Sequence, residues 1–583
     1  MYSDFSVEIP DTKGKITIKK KGDASYVLYE YARIYNSDRH YNVPRRAIIG
    51  KVNPEDPSTM YPNESYLVYY PDAALPEERS EAYRSCCLRI GSYIAINKIL
   101  EEYHLPVLLS KYIGNDCGLV LDLVSYLIVD EENAGQYYPD FAFNHPLFSD
   151  QMRIYSDSKV SRLLSAITAD QSIGFLNDWN KKRDHRQRIY VSYDSTNKNS
   201  QAGDIDILEF GKAKDPKGTP VFNLAIAFDA TNRIPLFYEE YPGSINDVSQ
   251  FSFMIDKVYE YGYKKIGFIL DRGYFSKDNI REMEKNSYEF IIMVKGCKSL
   301  VSSLITSVRN SFEANRSCAI RTYKVYGITL KANLFEDDRL EKYFHIYYNP
   351  AKQAAEREQL EQKIDKLRQF LQKNEGKVIS FGKTYTDYFT LHYDKNGIFL
   401  YADERGEAIC EELKLCGYFC IITSEKMTAE EALTHYKGRD ISEKLFRADK
   451  TFIGSKSMRV QTAEAMSAKI FIEFIALIVR NRLYNLLKEE MLRLETKVNF
   501  LTVPAALREL EKIEMVRRNN GKYRLDHAVT KKQKTILGAL GMDEEYIRVK
   551  ASEISRLLDS GRSLMNSGVE EENNGEEEID ICD

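Results

Sequence analysis

Two apolar stretches of the chain each deliver a carboxylate at their C-terminal end. "RIYVSYDSTN" ends at Asp194 and "KKIGFILDRGY" at Asp271. A short apolar run closed by turn residues reads as an interior strand. Carboxylates are rarely set beside such strands unless paired or bound to a metal. "LAIAFDATNR" closes at Asp229 and "GIFLYADERG" at Asp403 in the same way. The order of elements separates the four. Asp229 opens a tight turn into the next strand, so its neighbours form a hairpin. If the strand ending at Asp194 also pairs with the one after it, that middle strand runs antiparallel. Asp229 then lies at the opposite end of the sheet. The strand ending at Asp271 follows a helical crossover and can lie parallel to the first. Asp194 and Asp271 then sit side by side at one sheet edge, where open α/β sheets bind ligands. Asp403 falls in an interrupting segment and reads as structural. Two adjacent carboxylates repel each other and want a cation, and hard oxygen ligands suit magnesium or manganese.

A third acid has to come from elsewhere. Thr428 and Glu431 form a capping box that starts a helix in "MTAEEALTHYKGRDISEKLFRADK". Tyr436, Arg439, Glu443 and Lys450 follow at spacings of 3, 4 and 7. At about 100° per residue they fall within roughly 60° of one another on the helix surface. A tyrosine, two cations and one acid on one face suit a phosphate-facing surface with one metal ligand. The plainer reading is an amphipathic helix with i,i+4 pairs on its solvent face, and spacing alone favours that reading. Asp440 is the rival acid, off the centre of the face.

The elements around these residues suggest an order. Residues 1–75 look β-rich, and 76–187 look helical and end in the basic run "KKRDHRQR" (Lys181 to Arg188). Residues 188–295 alternate as three strands, a helix, a strand, a helix and a strand, which makes a mixed α/β sheet. Asn246 is the expected N-cap of the first helix. Residues 296–417 break the pattern with β-like stretches and a charged helix. In that helix Leu360, Ile364, Leu367 and Leu371 form a seam about two heptads long, which predicts a helix packed on its own domain. Residues 418–498 hold the capped helix and a long apolar helix beginning near Thr462. Residues 499–565 read as a small helical unit, and 566–583 as an acidic disordered tail.

Composition narrows the class. The chain has 583 residues, too many for one core. Hydrophobic residues make up 43% and charged residues 29%, as in globular proteins. Mean hydropathy is -0.44, and no apolar run is expected to reach a membrane span. The opening "MYSDFSVEIPDTKGK" has no apolar signal region, so a cytoplasmic protein is expected. Nine scattered cysteines without a C-x-x-C pair, and eight histidines, argue against a zinc site and fit reduced thiols. Net charge is -5, but the tail from Glu570 holds eight acids and no base. Without it 82 basic residues face 79 acidic ones. The bases cluster at Lys19 to Lys21, at Lys181 to Arg188 and in "GKAKDPKG" (Gly211 to Gly218). Such clusters can hold phosphates whatever the net charge, although any one of them equally fits a solvated face.

Several ordered blocks resemble one family. "Y-x2-R-x3-E-x6-K" at Tyr436, Arg439, Glu443 and Lys450 is similar to the signature of DDE transposases of the insertion-sequence-four superfamily, closest to the insertion-sequence-sixteen-thirty-four branch. "YDSTN" resembles the block at that family's first Asp, "YPGSIND" the block after the third strand, and "LDRGYFS" the second-Asp block. "SKSMRVQTAEAMSAKIFIEFIALIV" resembles the helix after the Glu block. The resemblance runs from about 188 to 490. It implies an RNase H-like mixed-sheet α/β catalytic core, interrupted by a largely β insertion. An N-terminal β-plus-helical region and a helical C-terminal region would flank that core. It implies Asp194, Asp271 and Glu443 as ligands of two Mg2+ or Mn2+ ions. One ion would activate a water and later a DNA 3'-hydroxyl, and the other would stabilise the leaving oxygen. Tyr436, Arg439 and Lys450 would hold phosphates. It further implies cleavage at terminal inverted repeats and strand transfer into target DNA by a homodimer, in a nucleoid-associated bacterial protein with no membrane partner. Residues 1–180 and the basic run (Lys181, Lys182, Arg183, Arg186, Arg188) are expected to bind double-stranded DNA. Some relatives stack a flipped base on a tryptophan in the insertion, whereas the one tryptophan here is Trp179. Two rivals stay open: a domesticated DNA-binding relative that does not cut, and an RNase H-fold nuclease without strand transfer.

Overall fold

The computed structural model describes residues 6–22, 24–36, 41–54, 56–70, 73, 84–199, 205–209, 220–245, 247–294, 298–439, 457–495, 498–517 and 522–565. Two units divide the chain, Met1–Ser85 and Cys86–Asp583. In the first, five antiparallel strands lie in the order Val7–Glu8, Thr59–Pro62, Tyr41–Val52, Ala24–Asn36, Ile16–Lys21. Val27, Ile49 and Met60 fill its core, together with Tyr66 from the helix Glu64–Tyr69.

A nine-stranded mixed sheet organises the second unit. In chain order its strands are β1 (Ile189–Asn199), β2 (Val221–Asp229), β3 (Ile234–Pro242), β4 (Ile266–Leu270), β5 (Glu289–Met293), β6 (Ala319–Ile320), β7 (Val325–Ala332), β8 (Lys342–Tyr348) and β9 (Tyr418–Thr423). Across the sheet they run β6-β7-β8-β9-β5-β4-β1-β2-β3. The hairpin β2–β3 turns through Ala230 to Arg233. The crossover helix α1 (Asp247–Glu260) returns the chain so that β4 lies parallel to β1, and α2 (Lys277–Lys285) does the same for β5. Ser276 caps α2, its side chain accepting from the Asn279 amide. Every residue of β2 and β4 is buried, as strands covered on both faces require. Asn246, the expected cap of α1, lies outside the described residues.

Two further helices complete the frame. α3 (Ala429–Gly438) packs over β4, β5 and β9, and α4 (Ala463–Arg493) packs against β3 and the helices of the 90–180 region. α4 is apolar around most of its girth, yet Lys469, Glu473 and Arg480 are buried in it. Each has a partner, as buried charge demands. Lys198 of β1 donates to Glu473 at 2.8 Å, Lys469 donates to the Asn133 and Met458 carbonyls at 2.6 Å, and Arg480 donates to the Ile128 carbonyl at 3.3 Å.

The structure differs from the sequence reading at four points. The strand expected to end at Asp194 runs on to Asn199, because β2 pairs with it along its whole length, to Asn199↔Val221. The segment 296–417 is not one separate insertion: β6, β7 and β8 join the central sheet through β9. Only its later part has its own core, where Leu360, Ile364 and Leu371 of the helix Pro350–Gln372 pack on the hairpin Phe389–Tyr393/Phe399–Glu404. The C-terminal region is not purely helical, since Glu514–Arg517 and Tyr523–Leu525 form a hairpin that pairs with Cys87–Arg89. Finally, the helical run Leu105–Val129 is long and apolar enough to cross a membrane, and 61% of its apolar window is buried within the protein, as in a core helix.

Candidate active site at the edge of the central sheet

The parallel register fixes the acid pair. Leu270 of β4 is level with Tyr193 of β1, so the next residues, Asp271 and Asp194, stand side by side on neighbouring strands. Asp194 sits within β1, and its Oδ1 accepts from the Ser195 amide at 2.9 Å. Asp271 follows the last residue of β4 and opens a single 3-10 turn, Arg272–Tyr274. Asp229 pairs with Val191, three residues back along β1 from Asp194, and its carboxylate is spent on the β2–β3 turn. Asp403 pairs with His392 across the outlying hairpin.

The capping box at the start of α3 is present: Thr428 accepts from the Glu431 amide, and Glu431 accepts from the Thr428 amide. It satisfies two end amides and fixes where the helix begins. Tyr436 is buried against Ile269, Ile291, Ile421 and Leu433, which anchors the helix end over β4, β5 and β9. Arg439 caps that end. Its guanidinium reaches both acids, with Nη1 at 3.9 Å from Asp194 Oδ2 and 3.7 Å from Asp271 Oδ1. Two carboxylates thus converge on one positive group, and their hard oxygen donors suit a divalent cation of the magnesium type. Glu443, Lys450 and the rival Asp440 lie outside the described residues. Among the described residues no group of three or more His, Cys, Asp or Glu could hold a metal.

A cleft of about 780 Å³ opens beside α3, lined among others by Arg272, Tyr323, Lys324, Lys352, Tyr436 and Lys437. Sequence reading missed these cations and Tyr323. Arg272 stands next to Asp271 and was there to be found, whereas Tyr323, Lys324 and Lys352 carry no local signal. Arg439 was assigned to phosphate, and its place between the acids had no signal beyond sharing a face with Glu443.

The basic run lies at the other end of the strands. Arg188 precedes the first residue of β1, six residues or roughly 20 Å of strand from Asp194. It is paired with Glu425 and Glu289. Arg183 stacks over Trp179 at 4.1 Å, and burial lowers its pKa. Lys181, Lys182 and Arg186 are exposed. Trp179 itself is core, its indole donating to the Pro235 carbonyl at 3.0 Å.

Acids held at the carboxyl edge of parallel strands, with Arg439 facing both, stand where open α/β sheets bind ligands and suit a cation. Residues 199–479 match the family model described as the transposase DDE domain. That span holds Asp271, Tyr436, Arg439, Glu443 and Lys450, and begins five residues after Asp194. The matched span is 281 of the 583 residues, a little under half of the chain, and that part is similar to transposase DDE domains. Among solved structures, the piggyBac transposase synaptic complex with hairpin DNA, seen by cryo-EM, is similar at 7% identity over 76% of each chain, with a TM-score of 0.34. The Mos1 transposase paired-end complex with left transposon end is similar at 13% identity over 32% of this chain and 65% of that chain, with a TM-score of 0.13. No curated protein matches the chain.

Proposed function

We propose that this chain is a DNA transposase of an insertion sequence. It cuts at terminal inverted repeats and joins the freed ends to target DNA by DDE chemistry on an RNase H-like core. The observation that carries the reading is the register-matched pair Asp194 and Asp271 under Arg439, together with the family match around it. In this reading Asp194, Asp271 and Glu443 are the ligands of two Mg2+ or Mn2+ ions. Such ions supply positive charge at the attacking and leaving oxygens of an in-line phosphoryl transfer. Arg439 balances the acid pair before the ions enter and then turns to phosphate, where a guanidinium binds in bidentate fashion. Tyr436 holds the end of α3 in place, and Lys450 joins it at the phosphates of the transposon end. The cleft lined by Arg272, Lys324 and Lys352 suits the DNA strand that leads to the cut. Tyr323 in that cleft offers an aromatic face in place of the tryptophan that some relatives use. Lys181, Lys182 and Arg186 contact DNA away from the cut, with Arg183 and Arg188 bracing that segment. The working form is a homodimer on double-stranded DNA, in the cytoplasm and associated with the nucleoid.

The test uses purified protein and a plasmid carrying the gene with its native flanks. Nicking and joining are scored with magnesium and with chelator, for wild type and Glu443→Gln. Magnesium-dependent cuts at the element's ends, followed by joined products and lost in the variant, are expected. Specific binding without cutting would point instead to the domesticated reading, and cutting without joining to a nuclease. Cutting that survives Glu443→Gln would move the third ligand to Asp440.

A further inference from the structure

The lysine cluster at Lys19 to Lys21 has no place in the catalytic reading, yet the first unit gives it a specific setting. Its five-stranded sheet has two unlike faces. One carries Val27, Ile49, Met60 and Tyr29, and the helix Glu64–Tyr69 covers it through Tyr66 and Tyr69. On the other face, register brings residues of different strands into rows. Lys19 pairs with Tyr26, Tyr26 with Lys51, and Lys51 with Tyr61. Cation, ring, cation and ring thus follow one another across four strands, roughly 14 Å at about 4.8 Å per strand. Alternation puts Lys21 on the same face, one step along. Farther along, Glu30 pairs with Arg46 and also binds Arg33, so that trio carries a net positive charge.

Lys19, Lys21, Arg33 and Ile48 are exposed, and Tyr35 keeps 61% of its surface. Two acids share this face. Glu30 is held below the usual carboxylate range by its hydrogen bonds to Arg33 and Arg46. Glu8 lies at the far edge strand. Five cations therefore face two acids, one of them already neutralised. From Lys21 to Arg33 the face runs roughly 25 Å at about 3.3 Å per residue. A duplex of that length presents roughly 15 phosphate charges.

We infer that this outer sheet face, built on Lys19, Lys21, Tyr26, Lys51, Arg33 and Arg46, is a second nucleic-acid surface that holds double-stranded DNA by its phosphates, independent of base sequence. The inference rests on the transposase reading and gives the first unit a role in it: holding DNA beyond the cut site. The alternation of rings and cations suits the backbone of DNA better than a compact anion, because the charges are spread over the sheet and do not converge on a point.

The test is binding of the full chain to a random-sequence duplex, followed by anisotropy over a series of salt concentrations. Lys19→Ala/Lys21→Ala/Lys51→Ala should reduce the slope of log K against log salt by about 2 to 3, and weaken binding on the order of 100-fold at ~0.1 M salt. Lys19→Ala alone should take about 0.9 off the slope. A control trio of exposed lysines, Lys373→Ala/Lys383→Ala/Lys395→Ala, should change neither, and thermal melts of all variants should match wild type. An unchanged slope in the triple variant, or an equal loss in the control trio, would overturn the inference. Tighter binding to a single strand of the same length would overturn its duplex form. Wild-type protein that binds no DNA at any salt concentration would remove the transposase reading itself, and this inference with it.

Discussion

Replacing Arg439 with Met keeps the aliphatic stem and removes the charge that faces Asp194 and Asp271. At about 3.8 Å and an effective dielectric near 20, each attraction is worth about 4 kcal/mol before solvent is counted. The side chains are not sealed off: Asp194 keeps 20% of its exposure, Asp271 37% and Arg439 12%. Solvent screening and the long contacts reduce the net loss to about 1–2 kcal/mol, toward the value for surface pairs. The two acids left behind repel each other. A divalent cation can do for the pair what Arg439 did. Without metal, Arg439→Met should therefore melt a few degrees below wild type. With Mn2+ it should recover more than wild type gains, and its Mn2+ affinity, read by EPR of free manganese, should rise about tenfold, which is ~1.4 kcal/mol. A variant with wild-type melting and wild-type manganese affinity would show that Arg439 does not balance the acids, and the electrostatic reasoning would fail. Arg439→Lys should lie between the two, because an ammonium keeps the charge without the reach of the fork.

Other perturbations follow from single contacts. Lys198 and Glu473 are both fully buried and joined at 2.8 Å, so Lys198→Met alone should cost about 3–5 kcal/mol in urea unfolding, and Lys198→Met/Glu473→Leu should recover most of it. Gly267 stands opposite Tyr190, and a Cβ there would meet the Tyr190 ring at 2.5 Å; Gly267→Ala should destabilise by about 1–3 kcal/mol through overpacking, and Tyr190→Ala should restore tolerance of it. Asp122 is fully buried, and burial raises its pKa to about 7 despite bonds from the Phe148 and Ser149 amides and the Tyr138 hydroxyl. Between pH 4 and 7 the native state then keeps a proton that the unfolded chain has lost, so stability should fall as pH rises through this window, by up to about 4 kcal/mol. In Asp122→Asn the Asp122 share of that slope should be lost from the unfolding midpoints, leaving the share of Glu240, whose pKa burial also raises to about 7; an unchanged slope would assign the proton elsewhere.

What the sequence disclosed depended on how local each cause was. The side-by-side placement of Asp194 and Asp271 could be read because hairpin and crossover leave few topologies, and the register that realises it follows from Ile266 pairing with Ile189. The capping box at Thr428 was legible because both partners lie within four residues. The hairpin Glu514–Arg517/Tyr523–Leu525 was missed although "RRNNGKY" carries an Asn-Gly turn signal. Its first strand is four residues long, and its third partner, Cys87–Arg89, lies more than 400 residues away. Distance also hid the continuation of the sheet. β7 and β8 read correctly as strands, but only the pairing of β8 with β9 makes them part of the core, and β9 comes 70 residues after β8 ends.

The same distance effect keeps the basic run and the acid pair apart in the fold although they are close in sequence. Arg188 and Asp194 are six residues apart, which in a loop would allow contact. In a strand at about 3.3 Å per residue they stand roughly 20 Å apart, and β1 is extended throughout. Cations at that end of the strands therefore come from other elements: Arg439, which ends α3, faces both acids, and Arg272, after β4, lines the cleft beside α3 with Lys352 from the helix after β8. On the proposed function, a surface that holds DNA at the cut would be assembled from the ends of elements around the sheet edge, whereas Lys181, Lys182 and Arg186 would reach only DNA that has already run past it.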